Sequence, residues 1–240
     1  FDTVVSIKDA GESEVFDFNE PTNNWGVANA GLIVHNCEIG LNPEQFCNLT
    51  TTNVSDIESQ QELNSRVVAA AFLGTLQAGY TDFHYLRDEW KDTTDEEALL
   101  GISMTGIASG RLDALSLKEA ASVALAENER IAGIIGINKA SRVTCIKPEG
   151  SASCVVGSSS GIHAWHDKFY IRRVRIGKNE PLYAYLKQIV PDLIEDCVFK
   201  PHIEAVVSIP QRAPEGATLR DESVFDLLGR VKRFNEEWVV

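Results

Sequence analysis

The chain has 240 residues and a mass of 26.4 kDa, which is enough for one large domain with its own hydrophobic core. Hydrophobic residues make up 44% of the sequence and charged residues 24%, a balance typical of a folded protein and not of a disordered tail. Thirty-five acidic residues against 22 Lys and Arg leave a net charge of −13, which argues against direct nucleic-acid binding and against an acidic membrane surface as partner.

The first 36 residues are predicted to form a small all-β segment. They contain short β-branched and aromatic runs, separated by turn-like residues. These runs are Val4–Ile7, Glu14–Phe18, Trp25–Ala28 and Gly31–Val34.

From about residue 59 the apolar pattern becomes helical. Leucines, valines and alanines recur at helical intervals over Gln60–Gly79. Ser116 followed by Glu119 is a capping box that predicts a helix over Leu117–Gly133. Thr93–Asp95 is predicted as another capped helix start, with Leu99–Ala108 as the apolar face of that helix.

Short apolar runs of β type follow these helices. They are Val143–Ile146, Cys154–Val156, Tyr170–Val174 and Ala205–Ile209. Helices that alternate with short buried strands predict an α/β architecture, such as a barrel, for residues 37–240.

The five cysteines are Cys37, Cys47, Cys145, Cys154 and Cys197. None has the CxxC spacing of a zinc site, so no metal site is predicted, and a large chain without a secretory signal is normally kept reduced. We therefore expect a cytoplasmic protein without a membrane span, whose last three cysteines pack in the core. Because the chain begins with Phe1, we also expect it to be a piece of a longer protein.

Three adjacent residues, His35, Asn36 and Cys37, have a joint chemical meaning. The Cys37 thiol can accept an acyl group by thioester exchange. The side-chain amide of Asn36 can attack its own peptide carbonyl, form a succinimide and cut the bond to Cys37. His35 is placed to transfer the proton that this step requires.

In its context, this tripeptide closely resembles the C-terminal end of an intein, and the resemblance covers residues 4–37. It implies that residues 1–36 are an intein segment, that His35 assists the cyclisation of Asn36, and that Cys37 is the first host residue. Asp17 matches a family Asp near the splice site. The chain departs from the family at Asn23, where a His is usual.

Residues 37–240 resemble the catalytic part of a ribonucleotide reductase large chain, most closely the class II, adenosylcobalamin-dependent enzymes. The resemblance rests on several separate motifs in the family's order. They are residues 37–41, Phe46–Thr50, Leu99–Ala108, Pro148–Ser153 and Val207–Pro210. It implies part of a ten-stranded α/β barrel, adenosylcobalamin as cofactor, and a protein that is inactive before splicing.

The same resemblance implies roles for three residues. Glu38 would be the general base and acid at the substrate 3′-hydroxyl, and Cys47 one of the two thiols that reduce the 2′ position. The family motif Asn-Pro-Cys-x-Glu-Ile aligns without a gap when Cys37 occupies the x position, which makes the radical cysteine the last residue of the upstream host segment. In the rival alignment, Cys37 itself carries the thiyl radical.

The segment Pro148–Ser153 has small residues around Gly150, which lets backbone N–H groups and hydroxyls approach an anion. A plain turn is the alternative reading. The resemblance favours a substrate-phosphate loop formed by Pro148, Gly150, Ser151, Ala152 and Ser153. The serine-rich residues 157–161 either line the same pocket or only turn the chain.

Four partners follow from these readings: a ribonucleoside di- or triphosphate, an upstream intein and reductase half, a thioredoxin-type reductant and the cofactor. Two alternatives stay open. The host is a class I reductase whose radical comes from a separate subunit, or it is a catalytically inert fragment.

His163 and His166 are predicted at a pocket rim or on the surface, and the arginines at 172, 173 and 175 on a solvated strand face.

Overall fold

The computed structural model describes residues 40–240, together with the backbone of two short strands, β1 (Trp25–Val27) and β2 (Ile33–His35). These two strands pair antiparallel, with Trp25 opposite His35. They confirm the strands predicted at these places. The strands predicted over Val4–Ile7 and Glu14–Phe18 lie outside the described residues.

A parallel sheet forms the centre of the described structure. Strand β3 (Asn48–Asn53) pairs in parallel with β4 (Leu100–Thr105), from Asn48 opposite Leu100 to Asn53 opposite Thr105. The predicted strand at Val143–Ile146 adds to the other edge of β4 through a parallel bridge between Ile102 and Thr144. We call residues 143–146 the third strand.

Helices connect these strands. Helix α1 (Gln60–Ala78) and helix α2 (Asp88–Glu97) link β3 to β4, and helix α3 (Leu117–Ile135) links β4 to the third strand. Helices α1 and α3 confirm the two best-patterned predictions. Their starts are capped by serine hydroxyls, which accept from Glu62 N in α1 (3.2 Å) and from Glu119 N in α3 (3.1 Å).

The prediction for residues 93–108 is wrong. Thr93–Asp95 lie inside α2, near its C-terminal end, and residues 100–105 are a strand in which every residue is buried. A short, continuously apolar run has no period that separates a buried helix from a strand with both faces covered. The pairing with β3 decides between the two.

Short helix α4 (Gly150–Val156) replaces the strand predicted at Cys154–Val156. Val155 is 85% exposed, so Val155 and Val156 are not part of a buried strand. Cys154 is exposed and contradicts its predicted core position, whereas Cys145 and Cys197 are buried as expected. The glycine and small residues at 150–153 form the first turn of α4, which leaves Cys154–Val156 on a surface helix.

The rest of the chain is a second sheet and its helices. Strand β5 (Phe169–Gly177), strand β6 (Ile194–Asp196) and strand β7 (Glu204–Arg212) form an antiparallel sheet in the order β5-β7-β6. They confirm the strands predicted around residues 170–174 and 205–209. Helix α5 (Pro181–Ile189) packs on this sheet through Tyr183 and Leu186. Helix α6 (Val224–Glu237) ends beside Trp238, which is fully buried in the main core.

Neighbouring parallel strands in chain order, with helices between them, are an α/β arrangement that occurs both in barrels and in open sheets. The main core lies between this sheet and its helices, where α1 packs against β3, β4 and α3. The described residues therefore have a mixed α/β fold, as expected, with a parallel portion and an antiparallel portion.

Candidate functional site

The parallel sheet has two unlike faces. Its outer face packs on helix α1, where the methyl groups of Thr50 and Leu100 approach Gly74. Because side chains alternate along a strand, the other face carries the residues between them. We call this the inner face; it is made of Cys47, Leu49, Thr51, Gly101, Ser103, Thr105, Cys145 and Lys147.

The inner face is polar for a parallel sheet. Ser103 and Thr105 are buried there, although such strands are normally apolar on both faces. Buried polar groups are retained where they meet other polar groups or a ligand. This face is therefore the candidate site.

Cys47 lies directly before β3 and is half-buried. Its neighbour Asn48 anchors the chain with two hydrogen bonds to the carbonyl oxygen of Leu99, from its backbone N–H (2.9 Å) and its side-chain amide (3.1 Å). A Cβ atom on Gly101 would lie 3.3 Å from the sulfur of Cys47 and would overlap Leu49. The glycine thus makes room for the thiol on the inner face.

An apolar pocket of about 440 Å³ opens beside Cys47. Phe46 forms part of its wall and packs on Trp90 and Phe83, with ring centroids 4.7 and 5.1 Å away. Tyr85, also on the wall, is 93% exposed. The thiol therefore has an aromatic surface next to it on the side of helix α2.

A buried ion pair marks the opposite end of the inner face. The Lys147 ammonium pairs with the Glu149 carboxylate, and their side chains are only 10% and 4% exposed. Thr51 donates to the same carboxylate (2.5 Å) and accepts from Lys147 (3.1 Å). A buried ion pair is stable only when further hydrogen bonds complete it, and Thr51 supplies them. Sequence reasoning missed this trio because it did not predict strand β3. The one visible signal was a Lys directly after the predicted strand Val143–Ile146.

The predicted phosphate-loop residues follow directly. Pro148, Gly150 and Ser151 are exposed, Ala152 is half-buried and Ser153 is buried. Ser153 donates to the carbonyl oxygen of Gly150 (3.1 Å). The structure thus brings four of the five to one accessible turn at the carboxyl end of the third strand, beside the Lys147–Glu149 pair.

The serine-rich loop, residues 157–161, lies against this turn. Ser160 Oγ accepts from the backbone N–H of Glu149 (2.9 Å). Thr105 donates to the carbonyl oxygen of Ser159 (2.9 Å). A Cβ atom at Gly161, where φ is +51°, would collide with the backbone of Lys147. The serine-rich loop therefore adjoins the turn at residues 148–153.

A charged cluster holds the carboxyl end of β3. Arg66 of α1 donates to the carbonyl oxygen of Asn53 (2.8 Å), to Asp56 (2.7 Å) and to Glu62 (2.5 Å). The hydrogen bond from Arg66 lowers the pKa of Asp56 below its usual value, and the same bond raises the pKa of Arg66. This cluster fixes the strand end and does not line the inner face.

Several predicted site residues cannot be located. Glu38, Cys37, Asn36 and Asp17 lie outside the described residues. His35 is the last residue of β2, and only its backbone is described. In the described part of the chain, no three His, Cys, Asp or Glu side chains group closely enough to hold a metal ion, and no helix could cross a membrane.

No known family model matches the chain. Two curated proteins are similar in sequence. One is the adenosylcobalamin-dependent ribonucleoside-triphosphate reductase of Euglena gracilis, 28% identical over 103 residues, which are 42% of this chain and 14% of that protein. The other is the probable adenosylcobalamin-dependent ribonucleoside-triphosphate reductase of Dictyostelium discoideum, 27% identical over 187 residues, 72% of this chain and 23% of that protein.

A solved structure resembles the described fold. The crystal structure of a B12-dependent (class II) ribonucleotide reductase covers 84% of this chain with a TM-score of 0.67 and 16% identity. The fold is that of a part of a class II ribonucleotide reductase. The chain spans 33% of that solved chain and less than a quarter of each curated relative. The intein resemblance of residues 4–37 stays a prediction, because none of these names refers to an intein.

Proposed function

We propose that residues 37–240 form part of the active site of an adenosylcobalamin-dependent ribonucleotide reductase, in a catalytic barrel completed by an upstream half. The observation that carries the proposal is the inner face, which has a thiol at one end and a phosphate-sized turn at the other. Cys47 and Thr51 are four residues apart, about 13 Å along the strand, which suits a nucleotide lying between them.

In this proposal Cys47 is one of two reducing thiols. The substrate 2′-hydroxyl leaves as water, and two electrons come from Cys47 and an upstream cysteine, which become a disulfide. Glu38 exchanges the proton of the 3′-hydroxyl. The radical cysteine is the residue before Cys37 or, in the rival alignment, Cys37 itself. A thioredoxin-type dithiol then reduces the disulfide.

Substrate phosphates bind at the turn formed by residues 148–153. Ser151 and the backbone N–H groups of the first helical turn are available there, because the first N–H groups of a helix have no partner within it. Glu149 and Lys147 stay paired, so that the turn keeps its position relative to β3.

Adenosylcobalamin, when bound, supplies the radical that starts the reaction. The residues present fit such a group in one respect: Leu49 is 37% exposed on the inner face, beside the half-buried Cys47. An exposed apolar surface next to a thiol suits contact with the non-polar parts of a large cofactor. The names of both curated relatives support this cofactor and a nucleotide substrate. We also propose a cytoplasmic location, because that compartment keeps thiols such as that of Cys47 reduced.

The test fuses residues 37–240 directly to their upstream reductase segment, which makes it independent of splicing. With a dithiol reductant, we expect deoxyribonucleotide formation only when adenosylcobalamin is added. Cys47→Ser should lower turnover at least about a hundredfold, because serine cannot form the disulfide. Cys197→Ala, which alters a buried thiol of the antiparallel sheet, should keep the fusion active.

The alternatives give other results. Activity without cobalamin but with a second, radical-generating subunit would mean a class I enzyme. No reduction under either condition would mean an inert fragment. Full activity of Cys47→Ser would remove Cys47 from the chemistry.

We further propose that residues 1–36 are the C-terminal segment of an intein. The sequence of residues 4–37 supports this, as does the antiparallel pairing of β1 with β2 just before Asn36. In this proposal Asn36 cyclises with help from His35, Asp17 lies near the splice site, and Cys37 inherits the upstream acyl group.

The splicing test mixes the full chain with a complementary N-terminal intein half fused to the upstream reductase segment. The expected product has lost 36 residues and gained a peptide bond, as measured by its mass. Asn36→Ala should block release of the segment, whereas Asn19→Ala should not. Release at the normal yield from Asn36→Ala would overturn the assignment.

A further inference from the structure

Two thiols of the inner face lie beside the same glycine, Gly101. A Cβ atom placed on Gly101 would lie 3.3 Å from the sulfur of Cys47 and 3.3 Å from the sulfur of Cys145. The two sulfur atoms are therefore separated by at most twice that distance. The proposed function uses Cys47 and gives no role to the buried thiol of Cys145.

Backbone hydrogen bonds hold both cysteines in place. Cys145 donates its N–H to the carbonyl oxygen of Ile102 (2.9 Å), and its own carbonyl oxygen accepts from the indole N–H of Trp238 (3.0 Å). Cys47 precedes Asn48, which is anchored by two hydrogen bonds to the residue before β4. The sheet itself thus fixes the separation of the two cysteines.

This separation does not suit a disulfide between the two thiols. A disulfide needs sulfur atoms about 2.05 Å apart and Cα atoms within about 7 Å. Cys47 and Cys145 lie on opposite sides of β4, and two strand spacings amount to about 9.5 Å. A metal ion bridges a wider gap. Metal–thiolate bonds are about 2.3 Å long, so one ion holds two sulfur atoms about 4.6 Å apart.

The number of ligands selects the ion. In the part of the chain that the structure describes, no third His, Cys, Asp or Glu joins the pair to form a larger site. Zinc takes four ligands, of which the protein supplies at least three. Soft thiolate ligands instead favour copper(I), which is stable between two of them.

The surroundings of the pair are apolar and open on one side. The side chain of Leu49 covers Gly101, because it would overlap the same Cβ atom. Such an apolar shell limits the access of water, which favours an ion with few ligands. Cys47 also lines the pocket of about 440 Å³, whose wall includes Phe46 and Phe83. Aromatic rings attract cations, so this pocket gives an ion a path to the thiols.

We propose that Cys47 and Cys145 together bind one soft monovalent cation of the copper(I) class, as two thiolates on opposite sides of the ion. Two protons are released when the two metal–sulfur bonds form. This site departs from the expectation that Cys145 only packs in the core and that the cysteine spacing provides no metal site. A bound ion withdraws Cys47 from disulfide formation and blocks nucleotide reduction; this consequence, unlike the binding, rests on the proposed function.

The binding test titrates the full, reduced chain with copper(I), without oxygen and in competition with a chromophoric copper(I) chelator. Cys145→Ser and Cys47→Ser should each lower the affinity more than about a hundredfold, because losing a ligand costs more than losing a residue that only supports one. Cys154→Ser is the matched control, because it removes an exposed thiol outside the inner face. It should leave the affinity unchanged.

X-ray absorption at the copper edge gives a readout that does not depend on the folding of Cys145→Ser. It uses a variant in which Cys37, Cys154 and Cys197 are replaced by serine, so that only the proposed pair remains. This variant should bind the ion with two sulfur neighbours, as the wild type does. A nitrogen or third sulfur neighbour would overturn the site. Equal affinities for the wild type and a folded Cys145→Ser would do the same, as would no binding to the wild type.

Single turnover of the prereduced reductase fusion separates this inference from the proposed function. No dithiol is added, because a dithiol would compete for copper(I). One equivalent of copper(I) should abolish product formation in the wild-type fusion and in Cys154→Ser. An active, cobalamin-dependent fusion that binds the ion and keeps its turnover overturns the block but keeps the reductase. An inactive fusion that binds copper(I) through both thiols supports the metal site and overturns the reductase.

Discussion

Two adjacent threonines of β3 illustrate how the face of a strand decides the role of a side chain. Thr51 points to the inner face, where its hydroxyl donates to Glu149 and accepts from Lys147. Thr50 points to helix α1, and its buried hydroxyl oxygen has no hydrogen-bond partner among the described residues. Residues of one type, one position apart, therefore differ in what their hydroxyl groups contribute.

Thr51→Val should lower the free energy of unfolding by about 1–3 kcal/mol, because it leaves a buried ion pair without its third partner. Thr50→Val should be neutral or slightly stabilising, because it replaces an unsatisfied buried hydroxyl by a methyl group. Urea unfolding of both variants measures the difference. Equal losses would mean that the trio does not depend on Thr51.

Lys147 and Glu149 were not predicted as a pair, because nothing in a Lys-Pro-Glu triplet shows that both side chains turn inward. The ion pair depends on the third strand lying beside β4 and on Thr51 reaching it from β3. The role of Gly101 was not predicted either. The need for a small side chain at this position follows only from its contacts with Leu49 and Cys47 across the sheet.

At the scale of elements, helix α3 shows which local signals are reliable. The predicted capping box is half formed: Ser116 Oγ accepts from Glu119 N. The second half is replaced by tertiary contacts, since Ser116 N donates to Gln60 Oε1 (2.8 Å) and Glu119 accepts from Asn64 (2.7 Å). The serine cap is local, whereas the partner of the glutamate depends on α1.

Ser116→Ala should lower the free energy of unfolding by about 1 kcal/mol, the usual effect of removing an N-cap hydroxyl. Ser122→Ala, in the same helix, is the matched control. Its exposed hydroxyl only bonds back to the carbonyl oxygen of Lys118 (2.9 Å), so alanine should be neutral or slightly stabilising. Thermal unfolding compares the two, and an unchanged midpoint for Ser116→Ala would contradict the cap.

At the scale of the whole molecule, the main core is completed by residues far apart in sequence. Trp238 is fully buried, and its indole N–H donates to the carbonyl oxygen of Cys145 (3.0 Å). The backbone N–H of Val143 donates to the carbonyl oxygen of Val240 (2.9 Å). Residues 238–240 thus cover the third strand on the side away from β4.

Trp238→Ala should cost about 3–5 kcal/mol of folding stability, the range for removing a large buried aromatic side chain. Trp238→Phe should cost less, because it keeps most of the apolar volume and loses the bond to Cys145. Denaturant unfolding of the two variants measures both. Similar small losses in both variants would mean that the tail is not part of the core.

The sequence by itself determined the features that depend on near neighbours: helices α1 and α3 with the serine cap of α3, the β-branched strands of the antiparallel sheet, and the small residues of the turn at 148–153. The motif order also pointed to the reductase fold. Only the tertiary structure decided that residues 100–105 are a strand, that Cys154 is exposed, and that Thr51, Lys147 and Glu149 meet. The physical reason is that a buried apolar run has no local period, and that a polar side chain shows its partner only when strands distant in the chain lie side by side.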